Sequence, residues 1–398
     1  LSKSTPSFVK PFLYALNRMQ ENESLRPTQY LERSRSLMVD RLGVEGPVPE
    51  AAFAHGSVGL IADHTHYFDG FALMLQMRQG IAVSIRPSKA ALSRLVVEGS
   101  PEVFQFDRHE ESDAPLEALV TAVLSELTRE TWQVDLAVVA AIPPGLGMAY
   151  HAAFSIALIR AVEALTGLES SDAEVRVRAR NLLDRVAGMP LSPAYAIGAS
   201  LSDEGPFVLI DTQNGEFLRL DVGAGQRPGF LLLDTGGANQ FPPKGMADRK
   251  EATRRATAAL QGSGFARMVT LRDLEHKDLD GALAAIPSRL RPVVRFLVSS
   301  NRNVQKLTVA IRRQDWQFFG AILKIMQASQ VNDWSTTRPD FAEPVAQAER
   351  LSLDGIYGVV QTGEQGMLLI VGQPFSLPSF LDEFRESHTN GIHDALIL

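Results

Sequence analysis

Two short stretches of the sequence gather residue types that do chemistry. Asp63–His64–Thr65–His66–Tyr67–Phe68–Asp69–Gly70 sets carboxylates beside imidazoles. If this segment continues as a strand, His64 and His66 project to one face, where they and nearby carboxylates suit a divalent metal. The same groups suit sugar hydroxyls, because carboxylates accept hydrogen bonds and imidazoles both donate and accept. A plain hydrogen-bonded turn is the alternative. The second stretch is Pro143–Pro144–Gly145–Leu146–Gly147, between the apolar run Val134–Ile142 and a small-residue segment from Met148 to Leu165. Glycines there let backbone N–H groups approach an anion, and the start of a helix favours phosphate. The alternative is a tight strand-to-helix turn. The stretch lacks the Gly-Lys-Ser/Thr ending of a Walker loop and the third glycine of a Rossmann fingerprint.

The elements that must hold these stretches are legible from periodicity. Leu136 to Ile159 contains no Asp, Glu, Lys or Arg and is long enough to span a bilayer. The prolines and glycines in its middle break it into a buried strand, a turn and a buried helix. Val58–Ile61, Phe71–Met74 and Ile81–Ile85 read as strands around the polar segment. Phe8, Phe12, Leu16 and Met19, then Tyr30 to Leu42, carry helical spacing. Leu116–Leu127 reads as a further helix. Asn214–Gly215 between Phe207–Asp211 and Phe217–Val222 predicts a hairpin, and Leu231–Leu233 and Met367–Val371 predict strands. From Asp248 long helical patterns take over (248–260, 287–312, 314–329), which places a domain boundary near residues 216–228.

The chain has 398 residues, 45% of them hydrophobic and 21% charged, with a net charge of -7 and no cysteine. That length implies two domains, and the composition is that of a packed chain. No Lys/Arg-rich block offers the field nucleic acid requires. No targeting segment is evident, and the absence of cysteine fits a reducing compartment, so the cytoplasm is expected and a membrane or nucleic-acid partner is not.

Taken together, the two stretches resemble a known family. Gly59–Leu60–Ile61–Ala62–Asp63–His64–Thr65–His66–Tyr67–Phe68–Asp69–Gly70–Phe71 is similar to the galactokinase signature G-R-V-N-L-I-G-E-H-T-D-Y-N-G-G-F, aligned from Gly56, and Leu31–Val44 to the helix before it. Pro143 to Met148 resembles the P-x-G-x-G-L phosphate loop of the GHMP kinase superfamily, and Gly355–Ile356–Tyr357–Gly358 lies where its third motif should start. The resemblance runs over roughly residues 30–372. It implies an α+β, two-domain GHMP kinase fold. Its parts are an N-terminal helical extension (1–30), an N-terminal α/β domain with the glycine loop (31–220) and a ferredoxin-like C-terminal domain (221–398). It also implies ATP, Mg²⁺ and a small sugar or related metabolite meeting in a cleft. Asp63, His64, His66 and Asp69 would face the acceptor. Pro143, Gly145, Leu146, Gly147, Tyr150 and His151 would face the nucleotide.

The departures bear on chemistry. Ser57 stands where the family carries an arginine associated with catalysis, and Tyr195 where it carries the catalytic aspartate. None of Pro190 to Tyr195 is acidic. The family's serine run after the glycines is Ala149–Tyr150–His151, its sugar-contacting aspartate is His66, and its galactose-contacting tyrosine is Met246. Glu364 adds a carboxylate to the third motif. Tyr150 and His151 should narrow the nucleotide pocket, and a protonated His151 should attract phosphate as pH falls. Three functions are therefore open: an ATP-dependent sugar kinase with impaired catalysis, a catalytically silent relative that binds a metabolite, and a metal-dependent hydrolase built on His64 and His66.

Overall fold

A computed structural model of the protein describes residues 25–110, 115–201, 205–235, 246–363, 366–387 and 394–398. The helical spacing over Phe8–Met19 and Glu364 lie outside the described residues. By internal contacts the chain divides into two compact units, Leu1–Ser57 with Gln76–Asp203 and Val58–Leu75 with Glu204–Leu398.

The first unit is built from α1 (Pro27–Leu42), most of β1 (Glu50–Ile61), the C-terminal part of β2 (Phe71–Ser88), β3 (Ser93–Val97), β4 (Val103–Phe106), α2 (Pro115–Leu127), β5 (Gln133–Ala140), α3 (Met148–Thr166), α4 (Asp172–Ala187) and α5 (Pro193–Ser200). Strand β5 lies between β3, which runs parallel to it, and β2, which runs antiparallel. β4 adds to the far edge of β3. A strand flanked on both sides and covered reads as a continuous apolar run, which is why the uncharged stretch begins here. The charge near the start of β5, on Asp135, is buried and held by Arg86 at 3.1 Å and Arg94 at 2.7 Å. α1 covers this sheet with Tyr30 against Ala82 and Val139, and Met38 against Val96 and Ala137. α3 is long and apolar enough to cross a membrane, and 83% of its apolar window is buried inside the fold. It ends at Gly167, whose φ of 70° closes the last turn.

The expected strands at 71–74 and 81–85 are one strand, β2. At Gly80, within it, β1 passes too close for a side chain: a Cβ there would lie 2.1 Å from the Ala54 carbonyl oxygen.

The second unit takes the C-terminal end of β1 and the N-terminal end of β2, then β6 (Phe207–Asp211), β7 (Phe217–Leu220), β8 (Gly229–Asp234), α6 (Met246–Gln261), α7 (Leu279–Ala285), α8 (Arg291–Arg313), α9 (Trp316–Ser329), a π-turn (Gln330–Trp334), α10 (Ala342–Arg350), β9 (Ile356–Thr362), β10 (Met367–Gly372), α11 (Ser376–Ser387) and β11 (Asp394–Ile397). The start of β2 pairs with β6, and β6 with β7 through the hairpin that Asn214–Gly215 predicts. Four further strands form an antiparallel sheet in the order β11-β8-β10-β9. Phe341, Leu377, Phe380 and Phe384 from the helices fill a core with Leu231, Leu233, Leu368 and Ile370 of that sheet. This is the ferredoxin-like half of an α+β protein. β9 occupies the stretch where the third glycine motif was expected to begin.

Helix α9 rests on β9 through two glycines. A Cβ at Gly320 would fall 2.1 Å from the Tyr357 carbonyl oxygen, and one at Gly358 would fall 2.4 Å from that of Gly320. Backbone cannot yield as a flexible side chain can, so Gly320→Ala should destabilise the protein by about 1–3 kcal/mol, the usual range for overpacking. Urea unfolding monitored by far-UV circular dichroism will measure the shift in midpoint.

Candidate functional site

In the first unit, β5 passes through one tight 3₁₀ turn, Pro144–Leu146, into α3. Gly147 joins them at φ 57° and ψ -117°, a combination essentially confined to glycine. No side chain caps α3, so its first N–H groups are the orphan donors that bind anions at helix starts. Tyr150 and His151 in the first turns are both buried. Burial pushes the Tyr150 phenol well up and the His151 imidazole down to about 3. His151 is therefore neutral around physiological pH, which corrects the expectation of an imidazolium attracting phosphate there: desolvation outweighs its position at a helix start.

β1 runs beside this turn. A Cβ on Gly56 would fall 2.7 Å from Ile142 Cγ2, so the neighbouring Ser57 belongs to the same neighbourhood. Ser57 is buried, and its Oγ makes no hydrogen bond among the described residues. Tyr195 lies in the first turn of α5 and is wholly buried. The Ser192 hydroxyl caps that helix by accepting from the Ala194 N–H at 3.3 Å.

In the second unit, the polar segment leaves β1 as a 3₁₀ turn over Thr65–Phe68. His64 and His66 therefore do not share a strand face, and the described residues contain no group of three His, Cys, Asp or Glu able to hold a metal. Asp63 and His64 are buried. The His64 ring sits among Trp334 at 5.1 Å, Tyr67 at 5.8 Å and Phe296 at 5.8 Å. Burial, then the charge of Arg249, then His66, holds its pKa well below the usual imidazole value. His66 packs on Tyr67, with ring centres 4.3 Å apart. Beside Asp63 and His64 lies a small cavity of about 20 Å³, more than the roughly 10–15 Å³ that one water needs.

Asp69 ends the turn at φ 58°. Its carbonyl accepts from Arg272 Nη1 at 2.7 Å, while the same guanidinium makes a two-pronged pair with Asp211 at 2.5 and 2.6 Å and lies over the Phe71 ring. Hydrogen bonds from Arg272 hold the Asp211 carboxyl below its usual range. Arg249, Arg272, Phe296 and Trp334 had no signal in the sequence, because their meaning arises only from contacts with the distant segment 64–71.

Two buried imidazoles make stability depend on pH. In the unfolded chain each takes a proton below about pH 6.5, whereas in the folded chain His64 and His151 resist it. Stability is thus full above that value and is lost as pH falls below it. At ~1.4 kcal/mol per pH unit, His151 alone contributes a loss of about 2 kcal/mol by pH 5. Urea unfolding at pH 7 and pH 5 should show this loss, and a His151→Leu variant should show a smaller one.

No family model matches the chain. Curated relatives do match it along most of its length. A galactokinase of Roseiflexus sp. (strain RS-1) is 24% identical over 349 residues, covering 86% of this chain and 87% of the relative. A galactokinase of Streptomyces coelicolor is 24% identical over 308 residues, covering 74% and 78%. In structure the chain is similar to Lactococcus lactis galactokinase complexed with galactose, with TM-score 0.76 at 16% identity, covering 92% of this chain and 97% of that one. It is also similar to Methanococcus jannaschii mevalonate kinase, with TM-score 0.57 at 13% identity, covering 87% and 96%. Similarity to galactokinases over most of the chain and a fold shared with galactokinase and mevalonate kinase structures agree with the signature turn and the glycine turn, so the chain is galactokinase-like in sequence and has a GHMP kinase fold.

Proposed function

We propose that the protein is a galactokinase-like sugar kinase of low turnover, which binds ATP and a small sugar or related metabolite and transfers the terminal phosphoryl group slowly. The observation that carries this reading is the uncapped start of α3 behind Gly147: its backbone donors suit a phosphate. The side chains around it do not suit catalysis. In the transfer the acceptor oxygen bonds to the terminal phosphorus, the bond to ADP breaks, and the hydroxyl proton must leave. A carboxylate at the Tyr195 position would take that proton, whereas a phenol is itself a donor. Loss of a positioned base costs about 10² to 10⁴ in rate. Loss of an arginine on the transferring group, here Ser57, costs about 10³ to 10⁵, and the two need not multiply.

Mg²⁺ fits this site poorly. It prefers hard oxygen ligands, and the first turns of α3 present Ala149, Tyr150 and His151. The Ser155 hydroxyl, one turn further, is buried and donates to the His151 carbonyl at 2.8 Å. No step is therefore assigned to the metal.

The second reading, a silent metabolite-binding relative, is favoured by the burial of Tyr150 and His151 beside the anion-binding turn. ADP release from Mg²⁺-ATP with a panel of free sugars separates the two. Turnover far below the ~10 s⁻¹ median of enzymes, rising at least tenfold in Tyr195→Asp, is the expected result. Sugar-induced thermal stabilisation with no ADP release supports the silent relative. Robust turnover by the unmodified protein rejects both.

A further inference from the structure

Beside the signature turn, the second unit holds two buried amide groups, Gln330 and Gln361, to which the proposed transfer assigns no role. The small cavity is lined by Gly59 to Thr65, by Phe296, Leu297 and Ser300 of α8, and by Met326, Gln330 and Gln361. Gln361 is 3% exposed and Gln330 6% exposed, and the amide oxygen of each is buried with no hydrogen bond among the described residues. The orientation of Gln361 is fixed. Its Nε2 donates to Thr336 Oγ1 at 2.9 Å and to the Thr336 carbonyl at 3.3 Å, which leaves Oε1 as the unpaired end. Its backbone N–H donates to Gln327 Oε1 at 2.8 Å, and next to it Thr362 Oγ1 donates to the Gly59 carbonyl at 3.0 Å. The side chain therefore has little freedom to turn away.

A buried acceptor left unpaired costs about 1–3 kcal/mol, and such groups in native proteins nearly always find a partner. The partner here must bring two donors and little volume. We propose that this cavity is a buried water site, whose occupant donates to Gln361 Oε1 and Gln330 Oε1 and so ties β9 to the π-turn at the end of α9, beside the Asp63–His64 segment. A volume of about 20 Å³ exceeds the roughly 10–15 Å³ that one water needs. An anion would meet two acceptor oxygens and the Asp63 carboxylate. A monovalent cation would sit in the field that already opposes charging of His64, where Arg249 lies over Trp334 at 5.9 Å. Water satisfies both oxygens without charge. The π-turn gains a purpose from this, since π-turns are rare and often lie at functional sites, and this one carries Gln330 and Trp334 to the buried side.

The proposal does not rest on phosphoryl transfer and is tested without it. A crystal structure of the unmodified protein at about 1.5 Å should show one peak within hydrogen-bond distance, ~2.7–3.2 Å, of both amide oxygens. An empty cavity, or a peak that gains thallium anomalous signal after a Tl⁺ soak and so marks a cation, overturns it. In solution, Gln330→Met and Gln361→Met should each lower Tm by a few degrees. The double variant should fall by less than the sum, because both side chains share one water. Additive shifts overturn the shared site.

Discussion

The first unit depends on a backbone constraint, namely that a fully buried strand must hand over to a buried helix without any charged residue to mark the exit. β5 and α3 are both enclosed, and the change of direction is made at Gly147, in a conformation that a side chain would forbid. Because the turn is made by backbone, the N–H groups that follow are left pointing out of α3 without a capping side chain. The fold thus leaves backbone donors at the start of α3 without a side-chain partner. Tyr150 and His151 then fill the first turns of α3 with buried side chains.

The second unit shows the complementary case, in which ion pairs and rings hold a polar segment in place. Arg272 binds Asp211 and the Asp69 carbonyl together, fixing the junction of the signature turn, β2 and β6. Asn301 Oδ1 accepts from the Phe71 N–H at 2.9 Å, which ties α8 to the same place. With His64 enclosed by Trp334, Phe296 and Tyr67, the segment resembles a packed core more than an open shelf. The side chains of this segment therefore serve as structure, whatever else they contact.

Much of this was legible in the sequence, for stated physical reasons. The hairpin at Asn214–Gly215, the strand–turn–helix around Gly147 and the long helices after Asp248 rest on local rules, and they form. β2 reads as two apolar runs, 71–74 and 81–85, because Gln76, Arg78 and Gln79 lie between them, whereas the strand continues through Gly80, where the Ala54 carbonyl of the neighbouring strand leaves no room for a side chain. The spacing of His64 and His66 suggested a strand face, but a 3₁₀ turn intervenes, which residue types alone do not reveal. His151 was read from its position at a helix start, and its neutrality follows from burial, a property of the whole unit. The partners of segment 64–71 come from α6, α8, the turn at Arg272 and the π-turn, and no local pattern announces them.

The division of the chain has a topological consequence. Residues 58–75 leave the first unit in the middle of β1, belong to the second unit, and return in the middle of β2. The backbone therefore crosses between the units three times, and no single cut yields two intact halves. A fragment stopped after α5 would carry Phe71 to Leu75 without β6, and Asp69 without Arg272, so an apolar strand edge would be bared to solvent. A complementary fragment begun at β6 would lack its neighbour strand. Swapping one terminal half for another would therefore break β1–β2 or the β2–β6 pairing, so the two units have to be exchanged together.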